Sequence, residues 1–93
     1  MSWFLYILKS DRIGNLYVGS SVDPERRLME HNGGHVRATK GRGPWRRIAL
    51  IRFKGQKEAR HAEAMVKRLR NRNIIDKIVN GSFIWSENSG VLK

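Results

Sequence analysis

Trp3-Phe4-Leu5-Tyr6-Ile7-Leu8 is an unbroken run of aromatic and branched side chains, and it limits the possible folds more tightly than any other stretch. Such residues favour an extended, half-buried backbone, and the run is too short to cross a bilayer. It therefore needs sheet partners. The turn-forming stretch Ser10-Asp11-Arg12-Ile13-Gly14-Asn15 follows, with Asp and Gly tolerant of positive φ, and Leu16-Tyr17-Val18-Gly19 reads as the return strand. Pairing Lys9 with Gly14, or Ser10 with Asn15, sends Tyr6 and Tyr17 to the same face of this hairpin.

The remaining signals order themselves along the chain. Asp23 is placed to cap free N–H groups, Pro24 suits a first helical position, and Glu25 suits its positive end, which predicts a helix to about His31 closed by Asn32-Gly33-Gly34. Residues 35–44 carry Gly41, Gly43 and Pro44 among basic side chains and read as a mobile basic loop. Trp45 to Phe53 supplies a third strand. From Lys57 to about Asn71, Ala59, Ala62, Met65, Val66 and Leu69 recur at helical spacing, and a shorter helix is expected over Ile74 to Val79. The expected fold is α+β: a small antiparallel three-stranded sheet flanked by helices in the order ββαβαα. One domain is expected over residues 1–80, followed by a tail, 81–93, with no legible pattern.

Charge narrows the partners. Nineteen Lys and Arg against eight Asp and Glu leave a net +11, and between Gly34 and Arg72 only Glu58 and Glu63 oppose thirteen basic residues. A field of that density gathers polyanions, of which phosphate backbones are the commonest. A solvated basic face is the plainer use of such charge. Membrane association is not expected, because no amphipathic stripe stands exposed. The chain has no Cys, which excludes disulfides and thiolate zinc sites. With no secretory pattern at the N-terminus, a cytoplasmic location is expected.

Taken singly, the candidate chemical residues have ordinary structural uses. Strand tyrosines such as Tyr6 and Tyr17 usually pack. Arg27 and His31, four apart on one helix face, are unremarkable on a basic protein, although arginine's rigid fork suits a phosphate. Glu63 stands at the spacing of a helix ion pair with Lys67. It is also an isolated carboxylate among Arg60, His61, Lys67 and Arg68, the setting in which one carboxylate holds a hard divalent cation completed by water and phosphate. Arg37, Lys40, Arg42, Arg46 and Arg47 on and beside the basic loop, with Lys67, are the candidate nucleic-acid contacts.

Together the pieces resemble the GIY-YIG nuclease superfamily, and within it small single-domain bacterial proteins similar to the nuclease domain of the excision-repair C subunit. Leu5-Tyr6-Ile7-Leu8 stands at the first motif, with Leu5 where the founding pattern has Gly. Tyr17-Val18-Gly19, a one-residue variant of Tyr-Ile-Gly, stands at the second. The helix from Asp23 to Asn32 resembles the family's arginine helix, and Lys57 to Lys67 resembles its metal-glutamate helix. No asparagine matches the family's late one, since Asn71, Asn73 and Asn80 are all differently spaced.

The resemblance implies metal-dependent hydrolysis of phosphodiesters in DNA, in a repair or recombination setting. On that basis Glu63 holds one Mg²⁺ or Mn²⁺ and Arg27 binds a phosphate oxygen. Tyr6, Tyr17 or His31 activates water, with Tyr6 preferred, Tyr17 positioning the phosphate, and Arg27 and the cation lowering the phenol's pKa. A targeting partner protein is expected, because no base-reading element is legible. The main alternative is a non-cutting nucleic-acid-binding module of the same fold, and a basic factor on structured RNA is a third.

Overall fold

The computed structural model describes residues 1–92. Its elements follow the expected ββαβαα order: β1 Trp3–Ser10, β2 Leu16–Ser21, α1 Pro24–Asn32, β3 Trp45–Phe53, α2 Gln56–Leu69 and α3 Arg72–Asn80, with a short 3₁₀ turn over Glu87–Ser89. The sheet is antiparallel with spatial order β2-β1-β3. The apolar run is therefore the central strand, where both backbone edges are paired and both faces are covered.

Hairpin register follows the Ser10–Asn15 alternative. The Ser10 N–H donates to the Asn15 carbonyl at 2.9 Å, and pairing then places Tyr6 opposite Gly19 and Leu8 opposite Tyr17. Strand alternation splits β1 between two cores. Leu5 and Ile7 face α2 and α3, packing with Ala49, Phe53, Ala59, Ala62, Val66, Ile75 and Ile78. Tyr6 and Leu8 face the other way, with Trp45 and, less buried, Tyr17 and Leu28 of α1. In β3 a register shift at Ile7/Leu8 lets Trp45 join the second core while Phe53 joins the first. Without that irregularity these two residues of equal parity would share a face.

The helix ends obey local chemistry. Asp23 accepts from the Arg26 N–H at 3.1 Å, and Pro24 opens α1. Helix α2 buries Ala59, Ala62 and Val66, but Leu69, last of the expected stripe, stays exposed. Helix α3 begins at Arg72, two residues before the expected Ile74, because the Asn71 side chain accepts from the N–H groups of Asn73 and Ile74 and so caps it.

The loop over 35–44, expected to be mobile, is tethered instead. Ser10 Oγ donates to the Arg42 carbonyl at 2.6 Å, and Trp45 Nε1 donates to the Thr39 carbonyl at 3.2 Å. Asn32 holds both the N–H and the carbonyl of Trp45. Burying the Trp45 indole brings this backbone inward, and its polar groups then require partners. The tail also has structure: Phe83, Trp85 and Val91 cover the first core, Trp85 meets Phe53 edge-on at 5.4 Å, and Val91 bridges to Phe53. Lys93 lies outside the described residues. No helix among the described residues is long and apolar enough to cross a membrane.

Candidate active site

Because β2 is an edge strand, the helices on the two faces of the sheet can meet around it. Helix α1 approaches from the Tyr6 face and α2 from the Leu5 face. Ser20, which pairs with Leu5, points toward α2 and donates to Glu63 Oε1 at 2.5 Å. The second oxygen, Oε2, accepts from Lys67 Nζ at 2.7 Å, and that ammonium lies 5.7 Å from the centre of the Tyr17 ring. One open cleft of about 530 Å³ results, lined by Tyr6, Tyr17, Arg27, Glu63 and Lys67, with Gly19, Ser20, Arg60 and Ala64 completing the wall.

Gly19 makes the closest approach. A Cβ at this position would lie 2.5 Å from the Tyr6 hydroxyl and 2.6 Å from its Cζ. Only glycine lets the Tyr6 ring come this close to the neighbouring strand, which explains why a glycine follows Tyr17-Val18.

Behind Tyr6 runs a chain of hydrogen bonds whose direction is determined by its last member. The Val36 carbonyl only accepts, so the Thr39 hydroxyl donates to it, at 3.3 Å. Thr39 Oγ1 must then accept from the His31 Nδ1–H, at 2.8 Å. That leaves the His31 Nε2 lone pair to accept the Tyr6 hydroxyl proton, at 2.9 Å. His31 and Thr39 are almost wholly buried.

Burial sets the electrostatics. It holds the Tyr6 phenol above its ordinary pKa, and the Arg27 guanidinium beside it pulls the value down in the expected direction without offsetting burial. Burial, reinforced by the charge of Arg27, lowers His31 to about 4, so the imidazole is neutral at pH 7 and not poised near it. Burial also disfavours the Arg27 cation, but Glu30, which accepts from its Nη1 at 2.9 Å, and Tyr6 more than offset this and raise its pKa.

The structure brings Tyr6, Tyr17, Arg27 and Glu63 to one cleft, places His31 behind Tyr6, and sets Lys67 at the rim of the carboxylate. The other basic candidates lie outside this cleft. Arg37 and Lys40 are exposed on the loop. Arg46 pairs with Asp11 at 3.1 Å and Arg47 with Glu25 at 2.5 Å. Arg42 lines an adjoining cleft that also contains Lys67. Sequence reasoning missed Ser20, Thr39 and Glu30 as partners of Glu63, His31 and Arg27. A lone hydroxyl residue 43 or eight positions from its partner leaves no periodic signal.

An edge-strand cleft with two phenols, a guanidinium and a carboxylate, on a ββαβαα fold, defines a class, and comparison with known proteins identifies the same one. The family described as the GIY-YIG catalytic domain matches residues 2–76, and the chain belongs to it. The UPF0213 protein BH0048 of Halalkalibacterium halodurans is 37% identical over 73 residues, covering 77% of each chain. The solution NMR structure of the UPF0213 protein BH0048 from Bacillus halodurans matches with TM-score 0.53 and 34% identity over 86% of this chain and 84% of that one. The structure-specific endonuclease subunit slx1 of Xenopus laevis is 43% identical over 42 residues, which are 41% of this chain and 15% of that protein. The match thus spans only a small part of the longer eukaryotic relative.

Proposed function

We propose that the chain is a metal-dependent endonuclease that hydrolyses phosphodiester bonds in DNA. The convergence of Tyr6, Tyr17, Arg27 and Glu63 on one cleft at the sheet edge carries this reading. Membership of a family described as a catalytic domain, and distant relatives named as structure-specific endonuclease subunits, support it.

Glu63 fits the part of metal ligand. It is the only carboxylate among the described residues lining the cleft, and Mg²⁺ or Mn²⁺ needs one or two carboxylates when water and phosphate complete the shell. When bound, the cation neutralises the phosphate and stabilises the departing 3′-oxygen. Ser20 orients the carboxylate through Oε1. Arg27, steadied by Glu30, presents its fork to a non-bridging phosphate oxygen.

Tyr6 activates the water. Its own proton points to His31 Nε2, which leaves the phenolic oxygen facing the cleft to accept a hydrogen bond from the attacking water. His31, neutral at pH 7, offers the lone pair that holds the phenol proton in this direction. Tyr17, at the cleft wall beside Lys67, positions the phosphate.

A second reading, a binding module without turnover, draws on the ion pair that Lys67 makes with Glu63 Oε2. It also draws on the asparagines: Asn71 caps α3, and Asn80 accepts from the Ser82 N–H. Plasmid nicking with and without Mg²⁺ or Mn²⁺ separates the two. We expect cation-dependent nicking that Glu63→Gln abolishes while the variant remains folded and DNA-binding. Undiminished cutting by Glu63→Gln would remove the metal role, and no cutting by the wild type across duplex, branched and single-stranded DNA would leave the binding module.

A further inference from the structure

Beside the active-site cleft lies a second one of about 400 Å³, and Lys67 belongs to the walls of both. Its floor is apolar, made by Leu16, Val18, Val66 and Ile75. Its rim is cationic: Arg42 from the tethered loop, Lys67 and Arg70 from the end of α2, and Arg72 from the start of α3, with Asn15 from the hairpin turn. We propose that this cleft is a second phosphate subsite, which grips the nucleic-acid backbone adjoining the scissile phosphodiester and sets the path of the strand. The proposal rests on the reading of the neighbouring cleft as the cutting site.

Three observations carry it. First, the fold supplies no counter-charge to the three arginines of the rim. Among the described residues no carboxylate lies within ion-pair distance of Arg42, Arg70 or Arg72, whereas Arg26, Arg27, Arg46, Arg47 and Lys67 are all paired. Gathering unpaired guanidinium groups around one hollow works against folding, and an anion relieves it.

Second, Arg70 is held at φ 38, the only non-glycine residue at positive φ among those described. This is where a helix ordinarily ends in Gly or Asn, because a Cβ is strained there. Strained backbone of this kind concentrates at binding and catalytic positions. Third, the end of α2 and the start of α3 meet here, separated only by Arg70 and Asn71, so their opposed partial charges largely cancel and the guanidinium groups set the sign of the site.

The chemistry of the lining narrows the ligand. Arginine forks match phosphate oxygens, and the apolar floor suits the sugar. No aromatic side chain lines the cleft, so it offers no platform for stacking an unpaired base, and the grip is on the backbone whatever the sequence.

The test is the salt dependence of binding by Arg70→Gly/Arg72→Gln. Glycine suits the left-handed backbone at position 70, and an unchanged urea midpoint separates lost binding from lost fold. The control is Arg52→Gln/Lys54→Gln, which removes equal charge at the end of the sheet opposite Leu16. Affinity for single-stranded and duplex DNA of about 20 nucleotides is read by fluorescence anisotropy without divalent cation, over about 50 to 200 mM salt. Each lost phosphate contact flattens the slope of log K against log salt by roughly 0.7 to 0.9. The cleft variant should therefore lose roughly 1.4 to 1.8 and the control clearly less, and Arg70→Lys should restore part of the loss.

Hydrolysis of bis(p-nitrophenyl) phosphate, too small to reach the second cleft, should be unchanged in the cleft variant. An unchanged slope, or an equal loss in the control, overturns the subsite. A flattened slope in the cleft variant, with a wild type that cuts nothing, supports backbone binding at this cleft and removes the nuclease reading instead.

Discussion

The Tyr6 hydroxyl lies 2.9 Å from His31 Nε2, and it is the donor in that bond because the imidazole's one proton is committed on Nδ1 to Thr39. A residue in the middle of the central strand thereby has its proton aimed away from the cleft and its oxygen toward it. The water-activating role proposed for Tyr6 depends on this orientation.

Thr39→Val tests the relay from behind. Valine keeps the shape but removes the acceptor for His31 Nδ1–H, which leaves a buried donor unpaired at a cost of about 1–3 kcal/mol. We expect a lower urea midpoint and a shift of the His31 imidazole nitrogens toward the other tautomer in ¹⁵N spectra, together with slower nicking. Unchanged nitrogen shifts would mean that Thr39 does not set the tautomer.

Burial of neutral His31 makes stability depend on pH. Its pKa is lowered from 6.5 to about 4, so between those values the unfolded chain binds more protons than the folded one. Stability contributed by the neutral ring is complete above about 6.5 and is lost as pH falls toward 4, up to about 3 kcal/mol. Denaturant midpoints measured from pH 7 to 4.5 should fall for the wild type and fall less for His31→Phe. Parallel curves would show that His31 is not the titrating group.

Gly19→Ala places a methyl group 2.5 Å from the Tyr6 hydroxyl. The buried ring has nowhere to retreat without breaking its bond to His31. Overpacking of this kind costs about 1–3 kcal/mol, and nicking should drop further than DNA affinity does. Full activity in this variant would show that Tyr6 need not occupy its present position.

Arg27→Ala should slow nicking about 10²- to 10³-fold, the usual range for losing a donor aimed at developing charge. DNA binding should change far less. Arg27→Lys should rescue little, since an ammonium cannot hold Glu30 and a phosphate oxygen with one planar fork. Equal losses in kcat and in affinity would reassign Arg27 to ground-state binding.

Lys67 competes with a cation for Glu63 Oε2, which it contacts at 2.7 Å. Lys67→Gln should therefore tighten Mn²⁺ binding to the DNA-free protein by calorimetry, even as it weakens DNA affinity. Mn²⁺ affinity that is unaltered or lower would separate Lys67 from the metal position.

The chain's local chemistry determined its elements and their order. Six branched and aromatic residues require a strand, Asp23 and Pro24 start a helix, Gly81 ends one, and alternation alone places Tyr6 and Tyr17 on one face. These signals act over a few residues and are visible without the fold. Asn71 shows the limit even locally, since its side chain caps the helix ahead of it and not the one behind.

Only the tertiary structure decided that β2 lies at the edge of the sheet, and the site follows from that. An edge strand lets α1 bring Arg27 and His31 around one face while α2 brings Glu63 around the other. Ser20 and Thr39 acquire their partners there, and burial moves Tyr6 and His31 away from their ordinary pKa values. Solvent exclusion and contacts between residues distant along the chain exist only once the core has closed, so no local pattern of residues encodes them individually.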